Sequence, residues 1–171
     1  DEYNPKKVFS SIDKMGRYSF ENQSKITLWN LARFAETFLH LIDSNEKTAI
    51  KKIEDILNKY KKLFDQSWLI MMSMKLNLDT NNNNEEIVKE FLDLMHIYKL
   101  DYTNTFLDLE NNTLDKKIFK NWEEKYKNNK IRKFKNVNPQ IIPRNHIIEE
   151  IINEVYSNNY SQLYELSLIH I

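Results

Sequence analysis

A single glycine, Gly16, is present among the 171 residues of this chain. Loops that bind phosphates through G-x-G-x-x-G or G-x-x-x-x-G-K-[ST] need several glycines at fixed spacing, so neither can form here. The nucleophile turn of α/β-hydrolases is excluded for the same reason. A chain so poor in glycine keeps one where the backbone takes a positive φ angle or approaches another segment closely. The sequence therefore predicts a tight, buried turn at Gly16, followed by a helix.

Hydrophobic periodicity predicts an all-α fold. Beyond residue 22, apolar residues recur at intervals of three and four, and no stretch alternates with a period of two. Residues 1–22 are predicted to be a loop, and residues 23–171 the helical region of a single domain. The second helix is expected to run to about Leu76, with a break near Asp65 and Gln66. Helix starts are predicted at Ser24, Ser44, Asp101, Asp115, Pro143 and Ser161.

Apolar stripes on these helices predict the core. The first stripe runs from residue 28 to residue 42, and the second from residue 50 to residue 72. The third helix is expected to face inward with Ile87, Phe91, Leu94, Met95 and Tyr98.

Composition excludes several functional classes. The 25 basic and 25 acidic residues give a formal net charge of zero, so the chain as a whole attracts neither nucleic acid nor anionic lipid. The absence of cysteine excludes disulfides and thiolate metal sites. No apolar run reaches the roughly 20 residues that cross a bilayer. We expect neither a nucleic-acid nor a membrane partner.

Three segments resemble the selenoprotein O family of pseudokinase-fold protein adenylyltransferases. Residues 9–31 are similar to the family's F-S-S-I-D-x-x-G-R-Y-x-x-x-N-Q-P-x-x-x-x-W-N-L block. Residues 101–106 resemble its D-Y-T-x-T-F segment, and residues 138–145 its N-P-x-x-x-x-R-N segment. The three segments follow the family's order at comparable spacing, so the resemblance covers nearly the whole chain.

The chain departs from the family's pattern at four places. Ser24 replaces a proline, and Leu107 replaces an arginine. Asn77 replaces the glycine of a K-L-G-L segment, and a Gly-Asp pair is replaced by Asn158 and Asn159. Asparagine is the best substitute for glycine in a left-handed conformation, so turns are predicted at both asparagine sites. These changes affect surface chemistry rather than the fold.

The resemblance implies that the chain is the helical C-terminal lobe and extension of a protein-kinase-like fold. In the family, the nucleotide-binding, catalytic and metal-binding residues all precede this region, and a D-Y-G-P motif ends about where residues 1–5 begin. The full-length enzyme would transfer AMP from ATP to Ser, Thr or Tyr hydroxyls of proteins, using Mg²⁺ or Mn²⁺. This fragment is therefore expected to hold no catalytic, cofactor-binding or metal-binding residue and to be inactive alone.

The resemblance also implies the partners and the location. The expected partners are the missing N-terminal kinase-like lobe and the protein substrates. A bacterial-type cytoplasmic location is expected, and a mitochondrial one is left open because the N-terminus is not seen. The alternative function is a freestanding helical protein-interaction module without catalysis.

Asp13, Arg17 and Tyr18 are the polar residues that rank first as candidates. In the functional interpretation, Arg17 helps to hold the active-site loop of the longer enzyme. In the structural interpretation, which we favour, Arg17 pairs with a carboxylate such as Asp13 and fixes the loop. On the first helix, Trp29 is predicted to be a core anchor and Asn30 to cap or brace a neighbouring loop.

The four histidines and one basic run are further candidate sites. The histidines are His40, His96, His146 and His170, and the pairs Asp93/His96 and His146/Glu149 have the spacing of two ligands on one helical face. A metal site needs three or four converging groups, so none is expected. The run from Lys125 to Lys135, with Tyr126 and Phe134 interleaved, is interpreted as a solvated surface rather than a nucleic-acid site. The block Asp101, Tyr102, Thr103 and Thr105 is interpreted as a cap joining two helices.

Overall fold

The computed structural model describes residues 1–131, 137–139, 142 and 144–168. The structure is mostly helical (65%), and these residues form no strand or sheet, so the all-α prediction is confirmed. A 3-10 turn, Phe20–Asn22, precedes the first α-helix. The α-helices are α1 (Gln23–Glu36), α2 (Leu39–Ile42), α3 (Glu46–Lys75), α4 (Glu85–Ile97), α5 (Tyr102–Glu110), α6 (Lys116–Lys127), α7 (Asn145–Tyr156) and α8 (Ser161–Leu168).

The chain forms two compact units, Asp1–Val137 and Asn138–Ile171. The first unit holds the N-terminal loop and α1 to α6, and the second holds α7 and α8. The sequence-based division into a loop over residues 1–22 and one helical region over residues 23–171 stays a prediction.

The core of the first unit is built around Phe91 of α4, which is fully buried. Its ring centroid lies 5.2 Å from that of Phe106, 5.2 Å from that of Phe119 and 4.8 Å from that of Trp122. These offset and tilted pairs add attraction to the burial of apolar area. The Trp122 indole N–H donates to the Ile87 carbonyl at 2.9 Å, so the one polar group of the buried indole is satisfied.

Side-chain caps begin three of the helices. Asp101 accepts a hydrogen bond from the Asn104 amide at 2.8 Å and Asp115 one from the Lys117 amide at 2.8 Å, so both predicted caps are confirmed. The predicted cap Ser44 is wrong by one residue, because the Asn45 side chain accepts from the Thr48 amide at 3.1 Å.

Other predicted helix boundaries also change. Ser24 is not a cap, since α1 continues directly from the 3-10 turn and begins at Gln23. The predicted break near Asp65 and Gln66 is absent, because α3 runs without interruption from Glu46 to Lys75. The predicted cap Ser161 is wrong by one residue, because Ser161 is itself the first residue of α8. Pro143 lies outside the described residues.

Four helices end on a non-glycine residue with a left-handed backbone. The residues are Asn77, Lys99, Asn112 and Asn158, with φ of 56°, 53°, 59° and 60°. At the end of α3 the Leu78 amide donates to the Ser73 carbonyl at 2.8 Å, and the Asn77 amide to the Met74 carbonyl at 3.0 Å. This is the bond pattern of a Schellman motif, which satisfies the last carbonyls of a helix. The predicted turns at Asn77 and Asn158 are confirmed.

The predicted stripes on α1 and α3 are only partly buried. No residue of α1 is buried, and α3 buries only Ala49, Ile53, Met72 and Ser73. Ile56 is 67% exposed and Leu63 is 60% exposed, although both belong to the predicted inward stripe. Tyr98, which directly follows α4, is also exposed, against prediction. The periodicity identified the helices correctly, but the core of the described residues covers only part of their apolar faces.

Truncation of the central ring tests this description of the core. Replacing Phe91 with alanine should lower the free energy of unfolding by about 3–5 kcal/mol, because it leaves a cavity that the surrounding rings cannot fill. Phe9→Ala is the matched control, since Phe9 is 65% exposed, and it should change stability by less than about 0.5 kcal/mol. Urea unfolding followed by circular dichroism measures both. Equal losses would contradict the assignment of the core.

Candidate functional site

The Gly16 turn has the left-handed backbone that the sequence predicts, with φ of +67°. A Cβ atom built on Gly16 would meet only the Val8 Cγ2 atom at 3.8 Å and the Ser19 Cβ atom at 4.0 Å, which is ordinary contact. Glycine is therefore needed for its conformation rather than for space. The prediction that the turn is buried is wrong, because Gly16 is half-buried and the neighbouring Met15 is 93% exposed.

The Asp13 carboxylate holds the turn through the backbone. Its oxygens accept hydrogen bonds from the Arg17 amide at 2.8 Å and from the Tyr18 amide at 2.7 Å. Two amides bound by one carboxylate close the loop in the way that an Asx turn does. The predicted pairing of the Arg17 guanidinium with Asp13 is wrong, although the structural role assigned to Asp13 fits these bonds.

The Arg17 guanidinium instead lies over aromatic rings. Its central carbon is 4.7 Å from the centroid of the Trp29 ring and 5.8 Å from that of Tyr18. Arg33 approaches Trp29 as well, at 5.8 Å. These distances are within the range of cation–π attraction. Trp29 is 48% exposed, so the prediction of a core anchor is wrong, and the residue joins the turn to α1.

Two amide side chains that the sequence analysis did not single out brace the turn. The Asn22 side chain donates to the Gly16 carbonyl at 2.9 Å, and the Gln23 side chain donates to the Tyr18 carbonyl at 2.7 Å. Both belong to the N-Q pair within the segment 9–31, which was the available signal. Asn30, predicted to brace a loop, is exposed and makes no side-chain hydrogen bond with the described residues.

Backbone hydrogen bonds hold residues 1–3 against the junction between α4 and α5. The Tyr3 amide donates to the Leu100 carbonyl at 2.8 Å, and the Tyr102 amide donates to the Asp1 carbonyl at 2.9 Å. At the same junction, the Thr105 hydroxyl donates to the Asp101 carbonyl at 2.7 Å. The block starting at Asp101 therefore caps α5, as predicted, and also positions the first residues of the chain.

An aromatic cluster lies beside this junction. The Tyr3 ring centroid is 5.8 Å from that of Phe20 and 5.6 Å from that of Tyr102. The Lys75 ammonium lies 4.5 Å from the centroid of Phe106 and 5.7 Å from that of Tyr102. Burial lowers the pKa of Lys75, and burial together with the neighbouring Tyr3 raises the pKa of Tyr102 to about 12.

The described residues form a groove of about 860 Å³, which we call the aromatic groove. It lies between the N-terminal loop and α3, and it also reaches the first residue of α4 and the first residue of α5. Aromatic rings and carboxylates line it together. The lining residues used below are Tyr3, Phe20, Glu21, Lys61, Phe64, Asp65, Trp68, Glu85 and Tyr102.

The histidines do not converge with acidic residues. His40 and His146 are exposed, and the His96 Nδ1 atom lies 3.4 Å from the Tyr3 carbonyl oxygen. His170 lies outside the described residues. Among the residues that the structure describes, no group of three or more His, Asp or Glu side chains could hold a metal ion. The expectation that this chain holds no metal stays a prediction.

The described part of the basic run has acidic and aromatic partners. Lys125 lies between Glu86 and Glu90, with N–O distances of 3.1 and 2.9 Å, and Lys127 lies 3.9 Å from Glu123. These ion pairs neutralise the positive charge that binding of a nucleic-acid phosphate backbone would require. The remaining members, Arg132, Lys133, Phe134 and Lys135, lie outside the described residues. In the part of the chain that the structure covers, no helix is both long and apolar enough to cross a membrane.

Known proteins are similar to this chain over most of its length. The family described as Protein adenylyltransferase SelO matches residues 1–134. Protein nucleotidyltransferase YdiU of Pelagibacter ubique is 41% identical over 169 residues, which cover 89% of this chain and 35% of that protein. The protein of the same name from Clostridium botulinum is 39% identical over 184 residues, covering 97% of this chain and 38% of that protein. The chain thus spans a little over a third of the length of these relatives.

Substitution of Gly16 tests the turn. Gly16→Ala should lower the free energy of unfolding by about 1 kcal/mol, because alanine resists a positive φ while its Cβ meets no clash. Gly16→Asn is the matched control, and it should lose less because asparagine tolerates this conformation. Thermal unfolding of both variants measures the difference. A larger loss for asparagine than for alanine would show that space, not conformation, selects glycine.

Alkaline pH tests the burial of Tyr102. Because its pKa is raised to about 12 in the folded state, the folded protein keeps the phenol proton that the unfolded chain loses near pH 10. The contribution of Tyr102 to the free energy of unfolding should therefore be constant below about pH 10 and fall as the pH rises toward 12. Tyr102→Phe should flatten this fall, whereas Tyr156→Phe, at a position that is 83% exposed, should not. Urea midpoints across this pH range measure the effect, and identical curves would contradict it.

Proposed function

The chain belongs to the protein adenylyltransferase SelO family, and we propose from this premise that it is the C-terminal part of an enzyme that adenylylates proteins. In the proposed reaction, a Ser, Thr or Tyr hydroxyl oxygen bonds to the α-phosphorus of ATP, and pyrophosphate leaves. The observation that carries the proposal is the match of 97% of this chain to 38% of a relative named protein nucleotidyltransferase. Most of the residues of such an enzyme would therefore lie outside this chain.

The described residues do not fit an ATP or metal site. The single glycine cannot build a phosphate-binding loop, and no cluster of three ligands for a cation is present among them. The aromatic groove is lined by three carboxylates, which repel phosphates. We assign ATP and the Mg²⁺ or Mn²⁺ ion to the rest of the longer protein. This part of it would be inactive alone.

The proposed role of this chain is to support the catalytic lobe. Apolar side chains of the Gly16 turn are exposed, with Phe9 at 65%, Ile12 at 89% and Met15 at 93%. An apolar groove of about 360 Å³ between α1, α2 and α3 is open as well. Contiguous exposed apolar surface is typical of an interface. We propose that the missing kinase-like lobe covers this surface, and that the turn meets it.

A freestanding interaction module is the second candidate, because the same exposed surface could receive a separate protein. The two functions differ in what covers Ile12 and Met15. In the enzyme, the preceding part of the same polypeptide covers them. In the module, they are exposed to solvent until a partner binds.

We also propose a cytoplasmic location, which the bacterial relatives support.

Transfer of label from ATP tests the reaction. The full-length protein, incubated with a protein acceptor, should transfer label from α-³²P-ATP and none from γ-³²P-ATP, because AMP is retained and pyrophosphate leaves. Residues 1–171 alone should transfer neither label. Label from γ-³²P-ATP would show phosphoryl transfer instead. Absence of transfer from either nucleotide would favour the interaction module.

Replacement of Arg17 separates support from nucleotide binding. In the full-length protein, Arg17→Met should lower stability by roughly 0.5–1 kcal/mol, because the contact with Trp29 is lost. The affinity for ATP should stay within about twofold of the wild type, since we place Arg17 outside the nucleotide site. Lys14→Met is the matched control on the same exposed loop and should change neither quantity. A selective loss of ATP binding in Arg17→Met would contradict the structural role.

A further inference from the structure

The lining of the aromatic groove combines two kinds of group that attract organic cations. It carries the carboxylates of Glu21, Asp65 and Glu85 beside five aromatic rings. We propose that the groove binds a basic segment of the protein substrate, one that presents lysine or arginine side chains. The inference rests on the proposed function, in which the acceptor of AMP is a protein.

The negative charge of the lining favours a positively charged ligand. Against the three carboxylates, the lining holds one ammonium, Lys61, and that group pairs with Asp65 on the adjacent turn of α3. Glu21 and Glu85 are exposed and make no ion pair with the described residues. The groove is therefore negative, which disfavours a nucleotide or RNA and favours a cationic side chain.

The aromatic walls supply the second attraction. Tyr3, Phe20 and Tyr102 pack against one another, with ring centroids 5.6 to 6.3 Å apart. The same cluster already holds one ammonium, since Lys75 lies 5.7 Å from the Tyr102 centroid. Trp68 and Phe64 continue the wall along α3. Rings of this kind bind ammonium and guanidinium groups and pack against their aliphatic stems.

The volume of the aromatic groove and the negative charges near it agree with a bound basic peptide. A groove of about 860 Å³ is within the range of sites that bind small molecules and short segments, roughly 300–1,000 Å³. Burial raises the pKa of Tyr3, and the charges of Asp93 and Glu21 raise it further, so negative charge reaches the ring at the edge of the groove. A short basic segment would fit within this volume.

Direct binding of a peptide pair to the full-length protein tests the proposal without any catalytic step. The probes are a fluorescein-labelled serine peptide that carries four lysines and its counterpart in which glutamine replaces each lysine. Fluorescence anisotropy should show tighter binding of the lysine peptide. The double variant Glu21→Gln/Glu85→Gln should weaken it about fivefold and leave the glutamine peptide unchanged, since each exposed pair contributes modestly.

Further variants distinguish binding in the groove from a general effect of surface charge. Glu54→Gln removes an exposed carboxylate of α3 outside the groove, and it should leave both peptides unaffected. Trp68→Leu should also weaken binding of the lysine peptide, because it removes an aromatic ring from the groove and leaves the charge of the lining unchanged. An equal effect of Glu54→Gln and the double variant, or equal binding of the two peptides, would overturn the proposal. So would equal binding of the lysine peptide by the wild type and by Trp68→Leu, which is the result expected if the protein's own chain already fills the groove.

The outcome is independent of the transfer reaction. Loss of peptide discrimination in a protein that still transfers AMP would refute the groove alone. Selective peptide binding in a protein that transfers no AMP would refute the proposed reaction and leave the groove as a binding site for basic segments.

Discussion

The contact between Phe91 of α4 and Trp122 of α6 fixes the positions of the other elements of the first unit. Their ring centroids are 4.8 Å apart, and both side chains are fully buried. Phe106 brings α5 to the same centre, and α5 carries the Asp101 cap to which residues 1–3 are bonded. The N-terminal loop and the aromatic groove thus take their places from a core that lies far along the sequence. The position of the loop therefore depends on that core.

Much of this arrangement follows from local sequence. The helices, the caps at Asp101 and Asp115 and the left-handed residues Gly16 and Asn77 each depend on neighbours within a few positions, and these were predictable. The errors concern pairs of groups that meet in space. Arg17 is near Asp13 in sequence, yet its guanidinium lies over Trp29, because the Asp13 oxygens are bound by amides instead. Neither the spacing nor the residue types distinguish these two arrangements.

Burial was the least predictable property. An apolar stripe shows that a helix face avoids water, but it does not say whether the cover comes from the same segment of chain. α1 has a clear stripe and no buried residue. The groove was also unpredictable, since Glu21, Asp65 and Glu85 come from three separate elements. The chain spans a little over a third of the length of its relatives, and we propose that the rest of the protein covers the exposed face of α1.

The four left-handed residues that end α3, α4, α5 and α7 also bear on stability, because none of them is glycine. A helix end is a place where asparagine can stand in for glycine without changing the fold. Each such replacement lowers stability by roughly 1 kcal/mol or less relative to glycine. Since domains are stable by only about 5–15 kcal/mol, four small losses narrow the temperature range over which the protein stays folded.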